Sequence, residues 1–206
     1  MISRVLSYCL GLLVVIISVV ISPDNVDTKF DQTNTLPPLG MLSHNLLNFS
    51  PLGQSFTPTM TSLNFVNLLT ENGSATVKVN IRLGSISGPI VGTSQPTEIP
   101  FSVSPSVSSF RFSPPVTLIR GDVYVMEPFV VCGNTLIGST DANKYRSGNQ
   151  ILGGVAQTNT DLWFQEGISV PEHRGWLLAR TGLIALIALI AIVLFKNRFI
   201  LHRLSA

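Results

Sequence analysis

The chain has 206 residues, which is enough for one domain with accessory segments. Charged side chains make up only 12% of it, below the ordinary value for globular proteins, because both ends are apolar. Residues 23–170 contain seven basic and ten acidic side chains, so this part of the chain has a net charge of −3. A mildly acidic body without a basic cluster excludes nucleic acid as an expected partner.

The N-terminal segment, residues 1–22, has the layout of a secretory signal peptide, with Arg4 followed by an apolar run. Pro23 directly after Ser22 makes a poor cleavage site, so an uncleaved signal anchor is the alternative. Both interpretations imply export. Residues 23–48 are polar and show no sustained period, which predicts a linker or loosely ordered arm.

Residues 49–168 contain short strand-like runs separated by Gly, Pro, Asn and Ser. The clearest is 75–83, where apolar and polar residues alternate strictly, as in a half-buried strand of an antiparallel sheet. Asn72-Gly73 suits the positive φ of a tight turn, so residues 63–70 and 75–83 are predicted to form a hairpin. Further strands are predicted at residues 54–57, 89–93, 108–112, 122–131, 136–139 and 161–165.

This succession of short strands, without an amphipathic helix between them, predicts an all-β domain, an antiparallel β-sandwich or jelly roll. Glu127-Pro128 interrupts the longest apolar run and indicates an edge or a bulge there. Of the two cysteines, Cys9 lies in the N-terminal apolar run. Cys132 is therefore expected to be a single thiol, buried as a small hydrophobic residue beside two valines.

Side chains suited to catalysis are few. His44 is the only histidine away from the C-terminal apolar run, and we expect a solvated loop residue rather than a base. Asp141-Ala142-Asn143 has the spacing that begins a calcium loop, although an ordinary Asx turn is favoured. We predict no enzyme, cofactor or metal site. The carboxylates that an enzyme would have to use are Asp122, Glu127, Asp141 and Asp161.

Three aromatic residues are candidates for stacking a sugar ring. Trp163 and Phe164 are adjacent on a predicted strand and must face opposite sides, so one can be exposed. Packing of both rings in the core is the more ordinary interpretation. The stacking candidates are Tyr124, Tyr145 and Trp163.

The C-terminal segment predicts a membrane anchor. Residues 175–195 are interrupted only by Arg180 and Thr181, and about 20 such residues cross a bilayer as a helix. Basic residues follow the helix and lie in the tail 196–206. They place the C-terminus in the cytoplasm and retain the helix in the membrane. The retention residues are Lys196, Arg198 and Arg203.

The motif Val170-Pro171-Glu172, before an apolar helix starting at Trp176-Leu177-Leu178 and a basic cluster, resembles the PEP-CTERM sorting tail of bacterial surface proteins. His173 stands where that family has a second proline, within the linker 169–174. The resemblance implies an exosortase, a membrane protease or transpeptidase that acts at the motif.

The body is similar to exported domains of the choice-anchor type, which carry interchangeable sorting tails. The similarity lies in Gly53-Gln54-Ser55-Phe56-Thr57, Arg120-Gly121-Asp122 and Asp161-Leu162-Trp163-Phe164. It implies a structural or adhesive role without enzymatic activity, in a bacterial cell envelope or its exopolysaccharide, with the β domain outside the cytoplasm. The alternative is a carbohydrate-binding module displayed at the surface.

Overall fold

A computed structural model of the chain describes residues 25–35, 41–141, 143–172 and 182. Thr28–Ser169 form one compact unit; the other unit consists of Met1–Asp27 and Val170–Ala206. The described part is all-β, and its strands pair antiparallel. The strands are β1 (Asn25–Asn34), β2 (Met41–Asn45), β3 (Gly53–Phe56), β4 (Ser62–Leu83), β5 (Ile90–Thr93), β6 (Thr97–Ile99), β7 (Ser106–Thr117), β8 (Tyr124–Thr140), β9 (Gln150–Leu152), β10 (Val155–Gln157), β11 (Asp161–Leu162) and β12 (Phe164–Glu172).

The predicted signal segment 1–22 lies outside the described residues. The predicted membrane helix 175–195 also lies outside them, residue 182 excepted. Within the described part of the chain, no helix is long and apolar enough to cross a membrane.

The sheet is built around β4, which is 22 residues long. One side of β4 pairs with β7, β6 and β5, and the other side pairs with β12 and then β8. β12 and β7 lie on opposite sides of β4, because Leu68 pairs with Phe164 of β12 and also with Ser108 of β7. β8 in turn pairs with β3 near its start and with β2 near its end. β4 and β8 therefore connect the other strands.

The predicted hairpin at Asn72-Gly73 is wrong, because β4 continues through these residues as a single strand. Asn72 has a φ of 47°, and the register against β8 shifts between Glu71 and Ser74. A residue with positive φ serves a β-bulge as well as a tight turn, so the local signal is the same for both. The bulge bends β4 between its two halves instead of reversing the chain.

The core confirms the alternation predicted for the second half of β4 except at Asn80, which is predicted to face outward and is buried. Ala75, Val77, Val79 and Ile81 are buried, whereas Leu83 at the strand end is 37% exposed. Residues from both halves of β4 belong to the same apolar cluster, as do residues from β7, β8 and β12. Members of the cluster from outside the second half of β4 include Leu63, Val66, Leu68, Phe110, Phe112, Met126, Ile137 and Phe164. Because of the bend, both halves of β4 contribute apolar side chains to the same core.

Most predicted strands are present with shifted ends. Three predicted ranges each correspond to one strand: residues 54–57 to β3, residues 89–93 to β5 and residues 108–112 to β7. Residues 122–131 and 136–139 form one strand, β8, and residues 161–165 are divided between β11 and β12. β6, β9 and β10 have three residues each, too short to show a period.

The edge predicted at Glu127-Pro128 is confirmed, although β8 is not broken there. Pro128 pairs with Val79 of β4 on one side. On the other side, β3 ends its pairing at Met126 and β2 begins at Leu136. A proline without an N–H is tolerated on such a stretch because no ladder donor is needed.

The linker predicted for residues 23–48 is wrong where it contains β1 and β2. The sequence of β1 shows no apolar alternation, and its residues 27–30 are all exposed. Its strand conformation comes from backbone pairing beside β12 at the end of the sheet order, which a search for hydrophobic period cannot detect.

Gly133 tests how tightly the bulge is packed. Its φ is +80°, and an added Cβ would lie 2.2 Å from the Ser74 carbonyl oxygen, whereas Gly121 has a φ of +84° and open space around it. We expect Gly121→Ala to lower the free energy of unfolding by about 1 kcal/mol through backbone strain alone. Gly133→Ala should cost at least about twice as much. Urea denaturation of the full-length protein in detergent measures both, and equal losses would contradict this packing.

Candidate functional site

The predicted sorting motif lies at the end of the last strand. β12 starts in the domain at Phe164 and continues through Val170 and Pro171 to Glu172. The predicted retention residues lie outside the described part of the chain; these are Lys196, Arg198 and Arg203.

Two of the three predicted stacking rings are buried. Tyr124 is 3% exposed, and its hydroxyl accepts a hydrogen bond from the Ile119 backbone N–H at 2.9 Å. Tyr145 is 7% exposed; its hydroxyl accepts from the Thr57 N–H and donates to the Gln32 side-chain oxygen. The prediction that these two rings could stack a sugar is therefore wrong, because both belong to the interior and their hydroxyls are occupied.

Trp163 is half-buried, and its neighbour Phe164 is fully buried. The two adjacent rings thus differ in burial, as the alternation of a strand requires. The Trp163 backbone N–H donates to the Gly138 carbonyl, where the chain passes from β11 to β12. Stacking of a sugar on Trp163 stays a prediction.

The predicted carboxylates divide into two exposed and two buried groups. Asp122 and Asp141 are exposed. Glu127 accepts from Arg82 at 2.7 Å and from the Asn80 amide at 3.0 Å. The ion pair of Glu127 ties β8 to β4 across the sheet, which is a structural role.

Asp161 is fully buried and holds three donors. Its Oδ2 accepts the backbone N–H groups of Lys144 and Tyr145, each at 2.8 Å, and its Oδ1 accepts the Gln54 amide at 3.1 Å. The oxygen of the same Gln54 amide accepts the Leu162 N–H at 2.8 Å. This network fixes the loop after β8 to β3 and β11, and each of its polar groups is satisfied, as burial demands.

The network reaches β1 through Tyr145, whose hydroxyl donates to Gln32 at 3.0 Å. The neighbouring Asp31 accepts the backbone N–H groups of Thr59 and Met60, at 2.8 and 2.7 Å. Sequence analysis misses this cluster because two of its links, Gln54 to Asp161 and Gln32 to Tyr145, join residues 107 and 113 positions apart. The signal that could have indicated it is the occurrence of Gln and Asp on otherwise apolar strands.

Glu166 differs from Asp161 in its hydrogen bonding. It is fully buried on β12, two residues after the core residue Phe164, and neither carboxyl oxygen has a hydrogen-bond partner. Burial, and secondly the negative charge of Asp31, raise the pKa of Glu166 to about 8, while the nearby Gln32 backbone N–H partly opposes the rise. Burial also raises the pKa of Tyr145 to about 12. Glu166 is therefore a neutral acid at moderate pH.

His44 and Cys132 differ from their predicted environments. His44 lies in β2, not in a solvated loop, and its ring packs edge-on against Phe49 at 5.1 Å between centroids. Burial lowers the pKa of His44, and its Nε2 has no hydrogen-bond partner. Cys132 is exposed, not buried, because it lies beside the β8 bulge, with its sulfur 3.2 Å from the Thr76 hydroxyl.

The described residues contain no group of three or more His, Cys, Asp or Glu side chains that could hold a metal ion. Of the predicted calcium loop, Asp141 is exposed, Ala142 lies outside the described residues, and the Asn143 amide donates to the Thr158 carbonyl at 3.0 Å.

Comparison with known proteins gives no match for this chain, either to a family model or, at a significant level, to a curated protein.

Asp161→Ala tests whether the Asp161 network stabilises the fold. The change leaves two backbone N–H groups and an amide without their buried acceptor, at roughly 1–3 kcal/mol for each unsatisfied group. We expect a loss of more than about 3 kcal/mol in the free energy of unfolding. Asp122→Ala removes an exposed carboxylate and should change it by less than about 0.5 kcal/mol. Similar losses in the two variants would show that the network adds little.

Glu166 predicts a pH dependence of stability. Its pKa is about 8 in the fold, against 4.5 for an ordinary glutamate, so the folded state binds the proton more tightly. Its contribution is complete below pH 4.5 and is lost as the pH rises toward 8. Relative to Glu166→Gln, the wild-type free energy of unfolding should fall by up to about 1.4 kcal/mol per pH unit in this window.

Denaturation at pH 5, 6, 7 and 8, followed by circular dichroism, measures this slope. Glu98→Gln, a change at an exposed carboxyl, is the matched control and should follow the wild type. Identical slopes for wild type and Glu166→Gln would rule out a perturbed Glu166.

Proposed function

We propose that the chain is an exported, membrane-anchored and non-enzymatic protein of a bacterial cell envelope, with a structural or adhesive role in the extracellular matrix. The observation that carries the proposal is the continuity of β12 from the core residue Phe164 to Val170-Pro171-Glu172. A folded β domain is thus followed directly by a PEP-CTERM-like motif, an apolar run and a basic tail.

The all-β domain is, in this proposal, a β-sandwich or jelly roll. In support, both halves of β4 contribute to the same apolar cluster on either side of a bulge. Strands that bend at bulges and pass from one layer to another are a feature of packed β-sheets. A sandwich of this kind presents its outer faces to other envelope components.

A structural role agrees with the use that the domain makes of its buried polar residues. Glu127 and Asp161 accept hydrogen bonds that join strands and loops, and Asp31 holds the loop before β4. Of the three candidate rings, Trp163 is the one that a carbohydrate-stacking role would use, since Tyr124 and Tyr145 are buried.

The sorting tail is tested by the intact mass of the protein isolated from its native envelope. We expect the wild type to lack the residues after about position 172, and Glu172→Ala to retain them, because the exosortase-type enzyme would no longer recognise the motif. Glu98→Ala, at an exposed body residue, is the control and should be processed like the wild type.

A wild-type mass that includes Ala206 would contradict processing and leave the C-terminal helix as a permanent anchor. Release of the unprocessed Glu172→Ala variant from membranes by alkaline carbonate would contradict the anchor itself.

A further inference from the structure

Glu166 is enclosed by the N-terminal strand of the described domain. From β1 it faces the carboxylate of Asp31 and the backbone N–H of Gln32, and from the loop after β8 it faces Tyr145. From β4 the residue paired with it is the apolar Val66. Tyr145 itself is neutral over the ordinary pH range.

The basic residues near these elements do not neutralise Glu166. Lys29 on β1 and Lys144 in the loop after β8 have exposed side chains, and neither oxygen of Glu166 forms a hydrogen bond. Ionisation of Glu166 would therefore place a negative charge in the interior, beside the charge of Asp31. The removal of β1 would lower both the cost of burying this charge, because water would reach Glu166, and its repulsion by Asp31, because Asp31 would move away.

Release of β1 would uncover the Phe65 ring, against which Phe30 packs edge-on at 5.7 Å between centroids, but would leave the main apolar cluster intact. None of residues 27–34 belongs to the apolar cluster, and residues 27–30 are exposed. The side-chain contacts that join this strand to the domain include the cap of Asp31 on Thr59 and Met60, the bond of Tyr145 to Gln32, and the bond of the Asn34 amide to the Leu162 carbonyl. β1 also lies at one end of the sheet order, next to β12 alone.

We propose that β1 is a releasable strand, and that the protonation state of Glu166 decides whether β1 stays docked on β12. With Glu166 neutral, β1 covers the outer edge of β12. With Glu166 ionised, β1 leaves and the edge of β12 becomes free, while β4, β8 and the core keep their structure.

The release has a direct consequence for the tail, and this consequence rests on the proposed function. Proteases bind their substrates as extended chains through the backbone, which must be free of other pairing. β12 leads into Val170-Pro171-Glu172, so the release of β1 at higher pH would increase access of an exosortase-type enzyme to the chain before the motif.

Hydrogen–deuterium exchange of the full-length protein in detergent, between pH 5 and 8, tests the release. After correction for the intrinsic rate, the protection of peptides covering residues 28–34 should fall by up to tenfold per pH unit in the wild type. It should stay constant in Glu166→Gln, and at every pH the peptides from β4 and β8 should be better protected than those of β1, because global unfolding alone exposes them. Glu98→Gln, at an exposed carboxyl, should behave like the wild type.

Two results would overturn the proposal. The first is equal pH dependence of β1 protection in wild type and Glu166→Gln. The second is equal protection of β1, β4 and β8 at every pH, which would mean that β1 is exposed only when the whole domain unfolds. Gly167→Ala is a second test, since the added methyl would lie 2.0 Å from the Lys29 carbonyl oxygen. This variant should expose β1 at both ends of the pH range, and retained protection would argue against β1 as the moving strand.

The fraction of processed protein in native membranes, measured by intact mass at pH 5.5 and 8, separates the release from the proposed function. More processing at pH 8 in the wild type, but not in Glu166→Gln, supports the release as a control of tail access. Release without any pH effect on processing would overturn that control. Absence of processing at every pH would overturn the proposed sorting function and leave the release of β1 standing.

Discussion

The pairing of β4 with β8 is the constraint on which the remaining structure depends. It runs from Thr70 opposite Ile137 to Leu83 opposite Tyr124, and two register shifts interrupt it. These irregularities bend the pair, so that the two halves of β4 supply the same core with apolar residues. The other strands attach to β4 or β8 or to strands already paired with them, and each of them is shorter than either member of the central pair.

Buried side-chain hydrogen bonds, not disulfides, join distant parts of the described chain. Within the described residues Cys132 is a free thiol, and long-range ties come from side chains such as Gln54 and Asp161, 107 residues apart in sequence. The bonds of Asp161 join β3 and the loop after β8 to β11. The cost of burying these polar groups is offset because each carboxylate oxygen of Asp161 has a donor.

The sequence predicts what is periodic and local, and fails where a feature depends on distant partners. The inward face of Ala75, Val77 and Val79 follows from alternation alone, and it is confirmed. Asn72-Gly73 indicates a change of direction, but whether the chain reverses or bulges depends on β8, which lies far away in sequence. The apolar neighbours of Cys132 predict burial, yet the bulge there turns this stretch outward. The polar cluster at the candidate site has no local pattern at all, because its members come from five separate segments of the chain.

Asp161 and Glu166 illustrate two ways of keeping a carboxyl group inside a protein. Asp161 accepts hydrogen bonds from three donors, and these bonds let the buried carboxylate stabilise the fold. Glu166, five residues later, has neither a hydrogen bond nor a neutralising cation, and it faces a second carboxylate from β1. An apolar side chain in place of Glu166 would stabilise the domain without any dependence on pH. In our proposal, a carboxyl group at this position of β12, the strand that continues into Val170-Pro171-Glu172, makes the docking of β1 depend on a proton.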